Sequence, residues 1–219
     1  MQPFVILGSR SSIVAEFETT AERLGATVEA AVGTHPVVRL LNPRLSVKLE
    51  EFDPAETSGT YVPCAFLPDR RRVYDEIGQG LGMRRAEPLI DPHAIVARSS
   101  RIGDGTFINT ASVVGASTMI GDCVFINRTA SVSHHVILAD FVSIGPSVTL
   151  ASNVRVGEGT LIGTGAVILP DVTIGAGCII AGGAVVRSSV PDDSLVAGEV
   201  AKARPMRGKR ARFFSGEQE

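Results

Sequence analysis

The sequence predicts a mainly β protein, in which a small α/β domain precedes a parallel β-helix of six-residue repeats. Two observations predict this architecture. Every sixth residue from Ile90 to Val186 is Ile, Leu or Val, at seventeen consecutive positions. Ahead of that stretch, an apolar segment, a Gly-containing loop, a helical pattern and a second apolar segment follow one another. That order is typical of the start of a nucleotide-binding α/β unit.

The six-residue period fits neither a helix nor a single alternating strand, but it fits a solenoid. Each hexad supplies one short strand and one turn, and three hexads close one triangular coil. A second column, four residues after the first, holds small or β-branched residues. Glycine often follows the Ile, Leu or Val, as at Gly115, Gly145 and Gly163. We expect these glycines to supply turn conformations that other residues adopt reluctantly.

The first part of the chain predicts alternating strands and helices. Residues 4–7 form an apolar strand that ends at Gly8, and residues 13–24 form a helix capped by Ser11 or Ser12. A second strand follows over 26–32. The glycine fingerprint of dinucleotide-binding loops is incomplete, because Gly8 alone is in place. A plain α/β cap on the solenoid therefore remains an alternative to a nucleotide-binding unit.

A strand over 61–67 and a helix over 68–79 complete the first domain. The helix carries Arg70, Arg71 and Arg72, which we interpret as a solvated helix face, with phosphate or sugar contact as the alternative. The predicted domains are residues 1–86 for the small α/β domain, 87–192 for the β-helix, and 193–219 for a C-terminal segment with a mobile tail.

Composition excludes several functional classes. A net charge of −2 recruits neither nucleic acid nor an anionic membrane. The three cysteines are widely spaced and match neither a disulfide framework nor a metal motif. No apolar run is long enough to span a membrane, and no signal peptide is visible. We therefore expect a cytoplasmic protein without a bound metal.

The adjacent pair His134 and His135 is the candidate for chemistry within the solenoid. Residues eighteen apart stack on neighbouring coils, which places His134 beside Ser152 and Thr164 beside Gly182. Imidazole suits a general base near neutral pH, and the backbone N–H of Ser152 could bind a developing oxyanion. The residues alone indicate a possible acyl-transfer site, with ordinary surface histidines as the alternative.

Three segments resemble the left-handed β-helix acyltransferases, and more narrowly the sialic acid O-acetyltransferase-like branch. They are INRTASVSHHVILADFVSIGPSV, LIGTGAVILPDVTIGAGCIIAGGAVV and GEVAKA. Members of this branch acetylate sugars or nucleotide-linked amino sugars. The resemblance implies left-handed coils, acetyl-CoA as co-substrate, and a homotrimer with each active site between two prisms.

The resemblance also implies residue roles. His134 takes the position of the general base, and His135 stands where relatives carry an acid. Arg10 replaces a glycine of the nucleotide-sugar loop. The positions matched to the coenzyme are Ser143, Ser152, Thr164, Gly182 and Lys202, and those matched to the substrate are Gly8, Ser9, Arg10, Ser11 and Leu67.

The predicted function is therefore acetyl transfer from acetyl-CoA to a sugar, with a nucleotide-linked 4-amino sugar of a cell-surface polysaccharide or glycan pathway as the leading acceptor. O-acetylation of a sugar hydroxyl is the near variant. A non-catalytic β-helix scaffold is a second alternative. A zinc carbonic anhydrase on the same helix is a third, and it needs three converging histidines where the solenoid body offers one adjacent pair.

Overall fold

The computed structural model of the 219-residue chain describes residues 2–8, 13–33, 42–198 and, for the backbone, 202–205. The expected C-terminal tail after residue 205 and the loop residues 9–12 lie outside this part of the chain. No helix within the described residues is long and apolar enough to cross a membrane.

The N-terminal unit, as we call the elements before the repeats, is a five-stranded parallel sheet with two helices. The strand order is β3-β2-β1-β4-β5. Three 3-10 turns lie between β2 and β4, at Pro43–Leu45, Leu49–Glu51 and Pro54–Glu56. The elements are β1 (Phe4–Leu7), α1 (Val14–Leu24), β2 (Val28–Gly33), β3 (Ser46–Lys48), β4 (Thr60–Pro63), α2 (Pro68–Gly80) and β5 (Arg84–Arg85).

Several boundaries in this unit differ from expectation, among them those of strand β2, which spans Val28–Gly33 instead of 26–32. Helix α1 has Ile13 at its N-cap with no side-chain capping bond, and the expected caps Ser11 and Ser12 lie outside the described residues. Strand β4 ends at Pro63, four residues earlier than predicted. The reason is tertiary, because the carbonyls of Ala65 and Phe66 accept hydrogen bonds from helix α2 instead of a strand.

The repeats form seventeen two-residue strands, one for each hexad, as the period predicted. Parallel pairing joins strands on successive coils. After them, β23 (Ser194–Ala197) pairs with β21, and β24 (Lys202–Pro205) pairs with β23. The strands are β6 (Leu89–Ile90), β7 (Ile95–Val96), β8 (Arg101–Ile102), β9 (Phe107–Ile108), β10 (Val113–Val114), β11 (Met119–Ile120), β12 (Phe125–Ile126), β13 (Ser131–Val132), β14 (Ile137–Leu138), β15 (Ser143–Ile144), β16 (Thr149–Leu150), β17 (Arg155–Val156), β18 (Leu161–Ile162), β19 (Val167–Ile168), β20 (Thr173–Ile174), β21 (Ile179–Ile180) and β22 (Val185–Val186).

Three sheets form the faces of the prism. The first face contains β6, β9, β12, β15, β18 and β21, with β23 and β24 added at its end. The second face contains β7, β10, β13, β16, β19 and β22, and the third contains β8, β11, β14, β17 and β20. The second residue of each strand points inward and forms the core, as predicted for the Ile/Leu/Val column.

The column of small residues closes the corners. Its hydroxyls donate to backbone carbonyls of the next coil, for example Ser112 Oγ to Asn127 O at 2.9 Å and Thr160 Oγ1 to Gly175 O at 2.7 Å. Serine and threonine are therefore buried with their polar groups satisfied, which explains why this column tolerates them.

Glycine follows the apolar column for a reason that differs from the prediction. A Cβ at Gly115 would lie 2.7 Å from the backbone nitrogen of His134, and a Cβ at Gly145 would lie 2.8 Å from that of Thr164. Glycine there allows one coil to approach the next. The left-handed conformation occurs two residues later, where residues as different as Thr129 and Phe141 adopt it, both at φ 59°.

Aromatic rings join the N-terminal unit to the first face. Phe17 of α1 stacks on Phe107 with a centroid distance of 4.0 Å, and Phe66 meets Phe125 edge-on at 5.6 Å. The outward side chains of this face are buried, in contrast to Ile95 on the second face, which is 67% exposed. The N-terminal unit therefore covers one face of the prism and leaves the other two open.

Arg71 connects α2 to the prism and corrects our interpretation of the arginine triplet. Its side chain is 1% exposed, whereas Arg70 is exposed and Arg72 pairs with Glu158 at 2.7 Å. Burial lowers the pKa of Arg71 to about 9, so it stays protonated at neutral pH. The guanidinium donates six hydrogen bonds, to the carbonyls of Ala65, Phe66, Cys123, Phe141 and Val142 and to Ser143 Oγ.

We expect Arg71→Met to lower the free energy of unfolding by about 3 kcal/mol or more, because it leaves several buried carbonyls without donors. Arg70→Met, one position away on the exposed side of α2, is the matched control and should change stability by less than about 0.5 kcal/mol. Urea unfolding followed by circular dichroism measures both. Equal effects of the two substitutions would contradict the role assigned to Arg71.

Candidate functional site

The histidine pair lies at the corner between the second and third faces, in the turn that joins β13 to β14. Both side chains are exposed. His135 has φ 59°, so it occupies the left-handed position of the turn. The Nδ1 atoms of His134 and His135 lie 2.9 Å apart, and the rings are nearly perpendicular at 89°. The two imidazoles therefore form a hydrogen-bonded pair.

A shallow groove of about 430 Å³ runs along the third face beside this corner. Asn153 follows His135 in the same column, and its Nδ2 donates to Asp171 Oδ1 at 2.9 Å. The groove thus combines an imidazole, an amide, charges of both signs and apolar contact surface. Its lining residues are Ser117, Met119, His135, Ile137, Asn153, Arg155, Asp171 and Thr173.

Ser152 lies on the coil next to His134, as the stacking predicted. The backbone N–H of Asn153 donates to the carbonyl of His134 at 3.2 Å, which places the two turns in register. The N–H of Ser152 donates to no carbonyl of the described residues, and Ser152 is half-buried. A base and an available backbone donor therefore stand at the same corner.

Thr164 and Gly182 stack on each other at a different corner, between the first and second faces. The N–H of Gly183 donates to Thr164 O at 2.8 Å, and both predicted residues are exposed. The width of the second face separates them from His134. Within one chain these residues do not form a single pocket with the histidines.

Ser143 is not placed to contact a coenzyme. It lies on the first face beneath the N-terminal unit and is fully buried. Its Oγ donates to Phe66 O at 2.5 Å and accepts from Arg71 Nη2 at 2.9 Å. The expected coenzyme contact is therefore corrected, since this hydroxyl belongs to the internal interface. Lys202 is described for its backbone alone, within β24.

The predicted substrate residues that the structure describes follow the carboxyl ends of two neighbouring strands of the N-terminal sheet, β1 and β4. Gly8 follows β1, and Leu67 is the half-buried N-cap of α2, four residues after β4. Strand β1 lies between β2 and β4, so the chain order of the strands reverses beside it. In open parallel sheets, ligands bind outside the strand ends at such a point. Ser9, Arg10 and Ser11 lie outside the described residues.

An ion-pair network that we did not predict links the N-terminal unit to the β-helix. Arg85 donates to both carboxylate oxygens of Asp75 at 2.7 Å and to Asp122 at 2.6 Å, and Tyr61 donates to Asp75 at 2.7 Å. Burial alone would raise the pKa of Asp75, but the hydrogen bonds from Arg85 and Tyr61 lower it. The network joins α2 to a coil, and no sequence motif marks it.

The described residues contain no group of three or more His, Cys, Asp or Glu side chains arranged to hold a metal ion.

Residues 153–188 match the family of bacterial transferase hexapeptide repeats. A sequence search of curated proteins found no match.

Solved structures show the relationship over nearly the whole chain. The acetyltransferase domain of PglB from Neisseria gonorrhoeae is 30% identical, with 93% of this chain and 99% of that chain covered and a TM-score of 0.73. The chain belongs to the left-handed β-helix acyltransferases. A further structure of that domain contains acetyl coenzyme A.

Two other solved structures extend the comparison. A perosamine N-acetyltransferase from Caulobacter crescentus, in complex with CoA and GDP-perosamine, is 28% identical, with 93% of this chain and 97% of that chain covered and a TM-score of 0.86. WeeI from Acinetobacter baumannii is 20% identical over 93% of this chain and all of its own length, at a TM-score of 0.82, which shows the shared fold. Membership of this acyltransferase family thus extends to the N-terminal unit.

We expect Gly8→Ala to disrupt the carboxyl end of β1, where the predicted substrate residues begin. Gly8 has φ 112°, and a Cβ there would overlap the ring of Tyr74 and the carbonyl of Cys64. Gly25→Ala is the matched control, because Gly25 has φ 63° but open space around a Cβ. In urea unfolding, Gly8→Ala should lower the free energy of unfolding by about 2 kcal/mol more than Gly25→Ala does. Equal losses would show that steric overlap at Gly8 is relieved at no cost.

Proposed function

We propose that this acyltransferase transfers the acetyl group of acetyl-CoA to the amine of a nucleotide-linked amino sugar, with a 4-amino sugar as the leading acceptor, for cell-surface polysaccharide or glycan synthesis. One observation carries the proposal. A histidine with a neighbouring backbone donor occupies an exposed corner of a chain that matches, over 93% of its length, an N-acetyltransferase bound to CoA and GDP-perosamine. O-acetylation of a hydroxyl would use the same groups.

His134 acts as general base in the proposed reaction. Its Nε2 takes a proton from the acceptor amine as the nitrogen attacks the thioester carbonyl carbon. The carbon–nitrogen bond forms, and the carbonyl oxygen becomes an oxyanion that the N–H of Ser152 stabilises. The carbon–sulfur bond then breaks, and the CoA sulfur leaves with the proton from His134. The products are the acetamido sugar and free CoA.

The N-terminal unit supplies the nucleotide site in this proposal. The reversal of strand order beside β1 supports this assignment, because Rossmann-like sheets bind their ligands outside the carboxyl ends of the strands at such a point. Gly8 follows β1 and Leu67 precedes α2, and we assign Ser9, Arg10 and Ser11 to the same substrate site. We retain residues 1–86, 87–192 and 193–219 as the proposed domains.

The geometry supports a homotrimer. In a three-sided prism, the corner with His134 lies opposite the first face, which carries the N-terminal unit. We propose that a sugar held beside β1 of one chain reaches the histidine of another chain. Ile95, Val113 and Met119 expose apolar surface on the two open faces, in agreement with contact between prisms.

The coenzyme would lie along the boundary between two prisms. Thr164 and Gly182 from one corner would there face Ser152 from another, with Lys202 near the coenzyme phosphates.

We also propose a cytoplasmic location. All three cysteines are buried free thiols, as expected of a chain in a reducing compartment.

Acetyl transfer tests the proposal directly. Acetyl-CoA is mixed with GDP-, UDP- or dTDP-linked 4-amino sugars, and release of free CoA is followed with a thiol reagent while mass spectrometry detects the acetamido product. We expect one nucleotide to be preferred. Acetylation of a hydroxyl in place of the amine would establish the O-acetyl variant, and transfer to none of them would overturn the proposed acceptor class.

His134→Asn should lower kcat by about 100-fold or more, because it removes the base, and should leave acetyl-CoA binding by calorimetry unchanged. His93→Asn is the control, since His93 is exposed on the first coil and contacts Asp91. Full activity of the His134 variant would show that another group takes the proton.

Analytical ultracentrifugation tests the assembly. We expect a species of three times the chain mass of 23.0 kDa at micromolar concentration. Met119→Lys places a charge on the third face and should weaken the assembly and the transfer reaction together, while Arg101→Lys on the same face changes neither. A fully active monomer would contradict a site shared between chains.

A further inference from the structure

We propose that His135 is a positioning residue that accepts a hydrogen bond at Nδ1 from the Nδ1–H of His134, and so keeps Nε2 of His134 free to take the proton of the acceptor. The inference rests on the proposed role of His134 as base. It assigns a function to a residue at which relatives carry an acid, and it makes the catalytic unit a pair of imidazoles.

The contact geometry carries the inference. The Nδ1 atoms are 2.9 Å apart, which is hydrogen-bond distance. The left-handed backbone of His135 turns its ring toward the preceding side chain, and the rings meet at 89° with centroids 5.1 Å apart. Among the described residues, neither imidazole has a hydrogen bond to any other group, so each is the orienting partner of the other.

Proton counting then selects one arrangement. A hydrogen bond between two Nδ1 atoms needs one proton, which belongs to one ring and is accepted by the other. If His135 were the donor, the neutral tautomer of His134 would carry its proton on Nε2 and could not act as base. The competent pair therefore has His134 protonated at Nδ1 and His135 protonated at Nε2.

The surroundings of the pair contain few charges. Arg155 and Asp171 line the groove beside His135, and Asp171 accepts a hydrogen bond from Asn153. Arg98 occupies the column of His134 two coils earlier. No carboxylate contacts either ring among the described residues, so the partner that orients His134 is an imidazole and not an anion.

A pH dependence follows from this arrangement. With one proton between the Nδ1 atoms and one on Nε2 of His135, the next proton binds either Nε2 of His134, which occupies the base, or Nδ1 of His135, which breaks the hydrogen bond. A single protonation therefore inactivates the base. An anion in place of His135 would favour the protonated form of His134, which moves the loss of activity to higher pH.

The tautomer is measured first, by nitrogen-15 histidine NMR on the full-length protein at a pH where the pair is neutral. Loss of a signal in His134→Asn assigns the resonances. We expect His134 to be protonated at Nδ1 and bare at Nε2. A proton on Nε2 of neutral His134 overturns the inference, whatever the activity of the enzyme.

Kinetics across pH provide the second test, with three variants at one position. His135→Ala removes the acceptor and should lower kcat at least about tenfold with KM for acetyl-CoA little changed. The left-handed backbone conformation of residue 135 is accessible to alanine, because Ala111 adopts it at φ 56°. His135→Asn restores an uncharged acceptor and should recover kcat relative to His135→Ala, with an unshifted acid limb.

His135→Asp supplies an anionic acceptor. The acid limb of its profile of kcat against pH should move to higher pH by about one unit or more. Equal kcat and equal pH profiles for the wild type and His135→Ala would overturn the positioning role while leaving His134 as base. If His134→Asn also keeps full activity, the role of His134 as base fails instead, and absence of acetyl transfer in the wild type would overturn the proposed function, so the failures are distinguishable.

Discussion

The close stacking of successive coils is the constraint on which the rest of the structure depends. Backbone hydrogen bonds link each turn to the turn eighteen residues away, such as Asn153 N to His134 O and Gly183 N to Thr164 O. This spacing leaves no room for a Cβ at positions such as Gly115. It also fixes which side chains become neighbours, so the adjacency of His134 and Ser152 is a direct result of chain connectivity.

Outward corner positions are free of that constraint. The prism needs small or apolar residues inside, and glycine at some of the close approaches, such as Gly115. A corner accepts alanine, serine, asparagine or histidine in the left-handed conformation with similar φ values. Residues that carry chemistry can therefore be placed at a corner without repacking the core. The histidine pair uses this freedom, and its hydrogen bond is formed within a single turn.

The contact between the N-terminal unit and the first face sets the position of the proposed acceptor site. Phe17 and Phe66 bury apolar surface there, and Arg71 satisfies five carbonyls and a hydroxyl with one guanidinium. A buried arginine without a carboxylate is tolerated because its donors are fully used. The same contact buries Ser143. It holds the Ala65–Phe66 segment, and with it Leu67, at a defined place on the prism.

The sequence by itself determined the solenoid, its seventeen strands, the inward column and the pairing of His134 with Ser152, because these follow from a period that local chain geometry enforces. It also indicated a sheet-and-helix unit before the repeats. The tertiary structure alone decided that Arg71 and Ser143 are buried. Those facts depend on which face the N-terminal unit covers, and contacts between residues far apart in sequence leave no periodic signal.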